Sequence, residues 1–453
     1  MLFLPQKGAV ERNDVSELRD LLSCEKKNQS KELTIALERA ILKKSDDSSA
    51  CVELLLQHGA NPNGMDGSGI PYLVTAIDAG CHRVAHLLLQ NGSDVNSTRI
   101  KDGATALHRA VLNNDIEGVQ LLLNCDADVN RKDESNKTAL LYCCVNSFSA
   151  GASLILRSRD AHETDVTDET GSTCLLWCLS HRNMDLACRL LSLRANINVT
   201  NNKGRNAFLN ASESGMLEIV QEILRMGTDI QHTDSENNSG LLLAAKNKHI
   251  QTVLFLIDKG ASLNTADTEN RTALLYLTEY PDVVKLLLQE GACPNILTNQ
   301  GDTPLLVATV MGHVASTCDL LQNGADPVVT SEIFYLTLPL QAALYNADFS
   351  ITQMLFTASV ELGSDLSWLD DFLMNPQFQN RVLTDEKTRR VYEWIKEEMT
   401  AVEFVFPSLQ NLCRWVIRDQ IGDVCMERKI KRLPLPTSLK EFLHLKSLQQ
   451  YCS

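Results

Sequence analysis

The chain has 453 residues and a formal net charge of −15, and 44% of its residues are hydrophobic and 22% charged. This balance is that of a folded globular protein and excludes a disordered chain. The negative charge argues against nucleic-acid binding. No run of about 18 apolar residues is present, so no membrane span is expected. The opening MLFLPQKGAV lacks the features of a signal peptide, so secretion is not expected.

The chain begins with an incomplete unit and then becomes periodic. Residues 1–29 are interpreted as a partial repeat that caps the N-terminal end. Residues 30–362 predict about nine to ten units, because similar strings recur about every 33 residues. The clearest strings are LLLQHGANPN (54–63), LLLQNGSDVN (87–96), LLLNCDADVN (121–130), LIDKGASLN (256–264), LLLQEGACPN (286–295) and LLQNGADP (320–327).

Each period predicts a pair of helices. A Thr or Ser begins the first helix, as in GATALHRAV (103–111), and Val253, Leu256 and Ile257 form an apolar stripe on a second helix. The Gly that ends each second helix is typical of a C-cap. So short a pair cannot bury its apolar face alone, so we expect the units to stack into an all-α solenoid.

The recurring strings resemble the ankyrin repeat, whose G-x-TPLHxA opening and LLxxGAxxN ending are both present. Gly103 to Ala110 is the closest single match to the opening. The similarity weakens at residues 132–165 and 330–362, and degenerate outer units are expected as caps. The resemblance implies that a protein partner binds along the turn tips and the first helices.

The turns between units carry a row of carboxylates, which has two explanations. The row favours a basic or neutral partner segment that is steered by charge. Alternatively, each Asp hydrogen-bonds the backbone of its own turn, which is a common role for Asp. The candidate residues for binding a target protein are Asp102, Asp133, Asp168, Asp234, Asp267 and Asp302.

No sequence motif indicates catalysis. GxSxG elbows, P-loops and HExxH motifs are absent, so we expect no enzyme activity, catalytic residue or bound cofactor. His108 lies in the TALH position, where a structural role is expected. The 14 cysteines include no C-x-x-C pair, which favours buried thiols in a reducing compartment and no metal site. We therefore expect a cytoplasmic protein, with the nucleus as an open alternative.

The period is lost after about residue 362. Residues 363–406 are rich in aromatic side chains, and TDEKTRRVYEWIKEEM (384–399) predicts an amphipathic helix with Val391, Trp394 and Ile395 on one face. We interpret this segment as a helical connector that packs against the last repeat.

A second module is predicted at 407–453, beginning with PSLQNLCRWVI (407–417). Pro407 blocks an upstream helix and Ser408 is a good N-cap. The helix that follows has one apolar stripe, and prolines then hold Leu433 and Leu435 in an extended backbone. The stripe consists of Leu409, Leu412, Cys413, Val416, Ile417 and Ile421.

The charge of this module differs from that of the array. Residues 408–453 hold eight basic and four acidic groups, a net charge of +4, so the remainder of the −15 chain carries −19. Such a change indicates a second domain with its own partner. A module of this size cannot bury much surface by itself, so its apolar stripe fits a partner that provides a groove.

Together the two stretches resemble a SOCS box, which binds elongins and selects the cullin in a class of ubiquitin ligases. The elongin-binding pattern of a small residue, Leu, Cys and an aliphatic residue is filled by Ser408, Leu409, Cys413 and Ile417, and Leu412 lies on the same stripe. The cullin-selecting pattern, Leu-Pro-aliphatic-Pro, is filled by Leu433, Pro434, Leu435 and Pro436.

The whole chain therefore resembles the ankyrin repeat and SOCS box family. The resemblance implies a non-catalytic substrate receptor that binds elongin C with elongin B and cullin five with its RING protein, while the array holds a target protein for ubiquitination and proteasomal degradation. The alternative is a non-degradative ankyrin scaffold whose C-terminal module only caps the solenoid.

Overall fold

The polypeptide folds into a succession of short α-helices. In this computed structural model, the described residues are 5–24, 30–43, 45–158, 163–328, 338–362, 366 and 368–402. Within these ranges there is no β-strand, and β-pairing is limited to isolated bridges such as that between Met65 and Pro71. The all-α prediction is confirmed.

The chain forms two compact units. The first comprises Met1–Ala211 with Gln221–Thr228, and the second comprises Ser212–Val220 with the chain from Asp229 onward. The helices of the first unit are α1 (Pro5–Arg12), α2 (Val15–Cys24), α3 (Ser30–Leu42), α4 (Ser49–Gln57), α5 (Tyr72–Asp78), α6 (His82–Gln90), α7 (Ala106–Leu112), α8 (Ile116–Asn124), α9 (Ala139–Val145), α10 (Ser149–Ile155), α11 (Cys174–Ser180) and α12 (Met184–Ser192), with a 3-10 helix at Asp46–Ser48.

Helices α13 (Ala207–Glu213) and α14 (Leu217–Arg225) each contain a point at which the chain passes between the units, and the chain passes between them again after Thr228. The helices of the second unit are α15 (Gly240–Lys246), α16 (Ile250–Asp258), α17 (Ala273–Tyr276), α18 (Pro281–Glu290), α19 (Pro304–Val310), α20 (Val314–Gln322), α21 (Pro339–Asn346), α22 (Phe349–Glu361), α23 (Trp368–Leu373), α24 (Pro376–Thr384) and α25 (Glu386–Val402).

In most pairs, the first helix begins where a side-chain oxygen caps it; α5, α17 and α21 have no side-chain cap. Thr303 accepts a hydrogen bond from the backbone N–H of Leu306 at 3.1 Å, which satisfies one of the N–H groups that a helix N-terminus leaves without an intrahelical partner. Equivalent caps are Thr105, Thr138, Thr173, Asn206 and Ser239. The predicted Thr or Ser is present at most of these positions, with Asn206, Pro71 and Leu338 as exceptions.

In most pairs the second helix ends at a residue with positive φ, with α10 and α22 as exceptions. This residue is Gly in most of the repeats that show it, namely Gly59, Gly92, Gly227, Gly260, Gly291 and Gly324. Asp126 and Arg194 take the same position with φ values of 58° and 60°, a conformation that costs a residue with a Cβ atom free energy. The chain therefore keeps the turn even where the sequence has lost its glycine.

Apolar side chains of successive pairs form a continuous core in each unit. In the first unit, α5, α7, α9 and α11 pack in that order, as do α4, α6, α8, α10 and α12. In the second unit, α15, α17, α19 and α21 form one row and α16, α18, α20 and α22 the other. Val253 and Leu256, from the predicted stripe, are fully buried. Because neighbouring repeats supply each other's core, these contacts confirm the stacking prediction.

Amide side chains also connect consecutive repeats. Asn295 donates from Nδ2 to the carbonyl oxygen of Gly324 at 2.9 Å, and its Oδ1 accepts from the backbone N–H of Asp326 at 2.9 Å. Asn264, one repeat earlier, makes the same two bonds, to the carbonyl oxygen of Gly291 and from the backbone N–H of Cys293. One side chain thus satisfies a donor and an acceptor of the next repeat's turn, which fixes the two turns relative to each other.

The helix expected in the connector is present as α25 and packs on the last helix pair. Val391 and Ile395 are fully buried, and the Trp394 ring lies 5.6 Å from the rings of Phe349 and Phe356 on α22, centroid to centroid. These edge-to-face contacts hold α25 against the final repeat.

We expect Asn295→Ala to lower the free energy of unfolding by about 2 kcal/mol, because two hydrogen bonds between repeats are lost. Urea denaturation of the full chain measures the change. Asn247→Ala is the control, since that amide bonds Leu243 within its own helix. Equal losses in the two variants would contradict a special role for the amide between repeats.

We expect Arg194→Gly to raise the free energy of unfolding by about 0.5–1 kcal/mol. Glycine removes the cost of the left-handed backbone conformation, but it also increases the conformational entropy of the unfolded chain, which offsets part of the stabilisation. Gly260→Arg, at the equivalent position with φ 77° and no atom near the added Cβ, is expected to destabilise by a similar amount. Urea denaturation tests both, and changes of the same sign would refute the explanation.

Candidate functional site

Four of the six candidate turn carboxylates occupy one structural position, five residues before the N-cap of the first helix of a repeat. Asp168, Asp234 and Asp267 are buried, with 5%, 7% and 8% of their surface exposed. Each carboxylate accepts two backbone N–H groups from its own turn, at 2.8–3.0 Å. The donors are Ser135 and Lys137 for Asp133, Thr170 and Ser172 for Asp168, Glu236 and Asn238 for Asp234, and Glu269 and Arg271 for Asp267.

Three of these carboxylates also hold an aromatic side chain of the helix that follows. The Tyr142 hydroxyl donates to Asp133 at 2.6 Å and the Trp177 Nε1–H to Asp168 at 3.0 Å. Tyr276 donates to Asp267 at 3.4 Å in the second unit. The spacing is nine residues in each case, so the pattern D-x8-[YW] was available in the sequence, but we did not identify it there.

These hydrogen bonds shift the pKa values of Asp168 and Tyr142. Burial raises the pKa of Asp168, but hydrogen bonds from Thr170, Ser172 and Trp177 outweigh it, so that the pKa lies below its ordinary value. Burial and the bond to Asp133 raise the pKa of Tyr142. Asp168 is therefore a charged acceptor and the Tyr142 phenol a neutral donor at neutral pH.

Asp102 and Asp302 lie at different positions in their turns. Asp102 accepts from the backbone N–H of Ala104 at 3.2 Å and lies 3.3 Å from the Arg99 guanidinium. Asp302 is half-buried, and burial raises its pKa. In that turn the hydroxyl of Thr298 takes the accepting role instead.

Neighbouring turn tips are in contact within each unit through their backbones. Glu134 N–H donates to the carbonyl oxygen of Asp102 at 3.0 Å, and Thr268 N–H donates to that of Glu236 at 3.2 Å. The structure thus brings Asp102 close to the Asp133 turn, and the Asp234 turn close to that of Asp267.

The exposed acids of the tips are glutamates beside these aspartates. Glu134, Glu169, Glu236 and Glu269 are exposed, although Glu269 lies 2.7 Å from Arg271. Because the buried aspartates have their oxygens occupied, an acidic binding surface would be carried mainly by these glutamates. Target binding by the tips stays a prediction.

The structural role expected for His108 is confirmed. Its ring is buried and receives a hydrogen bond from the backbone N–H of Thr105 at 3.2 Å, while Nε2 lies 3.1 Å from the carbonyl oxygen of Lys137 in the next repeat. Burial lowers the pKa of His108, so the neutral imidazole connects two repeats.

Two pairs of cysteines meet inside the first unit. Cys143, Cys144, Cys174 and Cys178 are buried on α9 and α11. Burial raises the pKa of Cys144, and the neighbouring Cys174 and Cys178 raise it further. A buried thiol of high pKa is a poor nucleophile. Among the described residues, no three His, Cys, Asp or Glu side chains are grouped as metal ligands would be.

The second candidate site lies outside the described residues. It comprises the predicted elongin-binding residues Ser408, Leu409, Leu412, Cys413 and Ile417, and the predicted cullin-selecting residues Leu433, Pro434, Leu435 and Pro436. Helix α25 ends at Val402, just before this segment. Over the part of the chain that is described, no helix is long and apolar enough to cross a membrane.

Segments of the chain are similar to several known proteins. They are 27% identical to the E3 ubiquitin-protein ligase KEG of Arabidopsis thaliana over 172 residues (37% of this chain, 10% of that protein). They are 36% identical to the B-cell lymphoma 3 protein homolog of Mus musculus over 98 residues (20% of this chain, 22% of that protein). They are 31% identical to ankyrin repeat and SOCS box protein 6 of Mus musculus over 138 residues (28% of this chain, 30% of that protein).

The chain thus spans between a tenth and about a third of the length of these relatives. The family model for ankyrin repeats matches three times, over residues 73–165, 152–234 and 235–331. The SOCS box model matches residues 406–444. Ankyrin repeats cover more than half of the chain and a SOCS box follows them, so the chain belongs to the ankyrin repeat and SOCS box family.

Proposed function

We propose that this protein is the substrate-receptor subunit of an elongin BC–cullin–RING ubiquitin ligase. The observation that carries the proposal is the presence of two recognition modules in one chain, ankyrin repeats at 73–331 and a SOCS box at 406–444. The repeats bind a target protein, and the SOCS box binds elongin C with elongin B and selects cullin five with its RING protein. Two of the relatives carry related names, an E3 ubiquitin-protein ligase and an ankyrin repeat and SOCS box protein.

The packing of the connector supports separate roles for the repeats and the SOCS box. Trp394 of α25 contacts Phe349 and Phe356 of α22, so the chain leaves the last repeat from a packed helix. The SOCS box match begins at residue 406, a few residues after α25 ends at Val402. A short link from an anchored helix limits the separation between bound target and ligase.

In the proposed elongin interface, a helix places its apolar stripe in a groove of elongin C. Leu409 fills an apolar pocket and Cys413 packs beneath it, while Ser408, Leu412 and Ile417 complete the contact. Cysteine suits this position because it is small and apolar, and no thiol chemistry is needed. Leu433, Pro434, Leu435 and Pro436 form the extended segment that favours cullin five.

The mechanism is an increase in effective concentration, without bond-making by this chain. Holding a target beside a charged ubiquitin-conjugating enzyme makes transfer to its lysines effectively intramolecular. The target is ubiquitinated and passed to the proteasome. We infer a cytoplasmic location, with the nucleus as a further compartment, where these partners and a reducing environment are available.

We expect elongins B and C to co-purify stoichiometrically with the wild-type chain and to be lost from Leu409→Ala/Cys413→Ala, because that variant removes the buried anchors of the interface. Affinity purification followed by quantitative mass spectrometry measures the loss. The control is Gln410→Ala/Asn411→Ala, which alters neighbouring residues off the stripe and is expected to retain both elongins.

Absence of elongins from the wild type and from both variants would reject the ligase proposal. The non-degradative scaffold, in which the C-terminal module only caps the repeats, would then explain the sequence better.

We expect Pro434→Ala/Pro436→Ala to weaken capture of cullin five by about tenfold while elongin binding survives, because alanine frees the backbone that the prolines hold extended. Pull-down of purified cullin five with its RING protein by preassembled receptor–elongin complexes measures the change. Equal loss of elongins and cullin would contradict the assignment of separate roles to the two halves of the module.

A further inference from the structure

Two consecutive repeats of the first unit carry an aromatic side chain at the same position of their first helix. Tyr142 lies on α9 and Trp177 on α11, each nine residues after the aspartate that accepts its hydrogen bond. The two residues before and the two after each of them are buried, whereas these two side chains are partly exposed. Because α9 and α11 pack side by side, Tyr142 and Trp177 lie on the same surface of the stack, and we call them the aromatic pair.

The protein itself fixes both rings of the aromatic pair and uses their donors. The Tyr142 hydroxyl and the Trp177 Nε1–H donate to the aspartates of their own turns at 2.6 and 3.0 Å. The His108 ring packs edge-to-face with Tyr142, and the His181 ring lies beside Trp177, with centroid distances of 5.9 and 5.4 Å. A partner therefore gains mainly by packing on the remaining ring surface, and it finds rings that are already ordered, which lowers the entropic cost of binding.

Charges beside the aromatic pair disfavour a charged side chain of either sign. The Lys137 ammonium lies 5.7 Å from the centroid of the Tyr142 ring and 4.0 Å from the Glu169 carboxylate. A cation of the partner on Tyr142 would come close to Lys137, and an anion on Trp177 would come close to the charged Asp168. Like charges placed together weaken association, so the side chains that pack on the pair are uncharged.

The surface that the aromatic pair offers is narrow and short. On α9 the half-buried Val145 continues it, and the exposed Asn146 ends it four residues after Tyr142, which is about 6 Å along a helix axis. In the direction of the stack, the equivalent residue on α7 is the ion-paired Arg109. The equivalent on α13 is the buried Asn210, which donates to the α11 backbone. The pair is thus a strip two rings long with polar limits.

The spacing of the two rings matches one turn of a polyproline II helix. Packed neighbouring helices lie about 8–10 Å apart, so this is the separation expected between equivalent residues of α9 and α11. A polyproline II helix has three residues per turn and rises about 9 Å per turn. Prolines at positions i and i+3 therefore point to the same side at an interval that places one on each ring. Uncharged, rigid prolines on aromatic side chains are a known mode of peptide recognition.

A partner α-helix fits the strip less well. With its side chains an α-helix is about 10–12 Å across, which exceeds the about 6 Å between Tyr142 and the level of Asn146. It would therefore cover the polar side chains beside the strip as well as the rings. A polyproline II segment is thinner and keeps its backbone in contact with water, so it can pack on the rings alone.

We propose that the aromatic pair binds a proline-rich segment of the target protein in the polyproline II conformation, with two prolines three residues apart packed on Tyr142 and Trp177. The proposal rests on the receptor function proposed above and names the class of segment recognised. In the second unit the equivalent residues on α15, α17 and α19 are Leu243, Tyr276 and Val307. Because only one of these three is aromatic, the second unit does not offer the same spacing.

The test uses the full chain and, as probe, a phage-displayed library of random peptides. We expect the wild type to enrich peptides that contain Pro-x-x-Pro, and fluorescence anisotropy with synthetic peptides of the enriched sequence measures the affinity. Inserting one alanine between the two prolines is expected to weaken binding at least about tenfold, because the second proline then points away from its ring.

The protein variant is Tyr142→Gln/Trp177→Gln, which removes both rings but keeps amide donors for the two aspartates. It is expected to bind the enriched peptides at least about tenfold more weakly. The matched control is Tyr276→Gln, which removes a ring of the second unit that also bonds an aspartate nine residues earlier, and it is expected to bind as the wild type does. Thermal unfolding checks that each variant is folded. The peptide series uses the wild type, so it tests the proposal even if the double variant unfolds.

Any of the following results would overturn the proposal: no enriched peptides, enriched peptides that lack paired prolines, including amphipathic helices, or unchanged binding after the alanine insertion. Equal binding by a folded Tyr142→Gln/Trp177→Gln variant would also overturn it. Elongin co-purification is scored separately. Peptide binding at the aromatic pair without elongins would reject the ligase proposal alone, and elongin binding without enriched peptides would reject this one alone.

Discussion

Each repeat depends on its neighbour to complete the hydrogen bonds of its turns. Asn295 satisfies both the Gly324 carbonyl and the Asp326 N–H, and the His108 ring reaches the carbonyl of Lys137 in the following repeat. A short helix pair cannot bury its apolar face alone, and these polar contacts add the condition that the next pair must stack in one register. The register is what brings equivalent surface positions of neighbouring repeats into rows.

The need to complete the hydrogen bonds of the turns also explains why many acidic residues of the turns are not available to form an acidic binding surface. Asp168 and Asp267 are nearly buried and accept hydrogen bonds from their own turns and from Trp177 and Tyr276. A carboxylate in this position organises the turn and orients the aromatic ring of the next helix. Charge available to a partner is then left to the exposed glutamates beside it.

The helix pairs could be predicted because most of them leave local signals: a Thr cap, an apolar stripe and a terminal Gly. The hydrogen bond between Asp133 and Tyr142 joins residues nine positions apart, which is visible in the sequence. That separation alone does not predict the bond, because the bond forms only if the Tyr142 side of the short helix faces the turn. The exposure of Val310 and Met311 was harder to foresee, because both look like core residues until their neighbours' positions are known. The SOCS box was recognised from two short motifs, and the family match confirms that assignment.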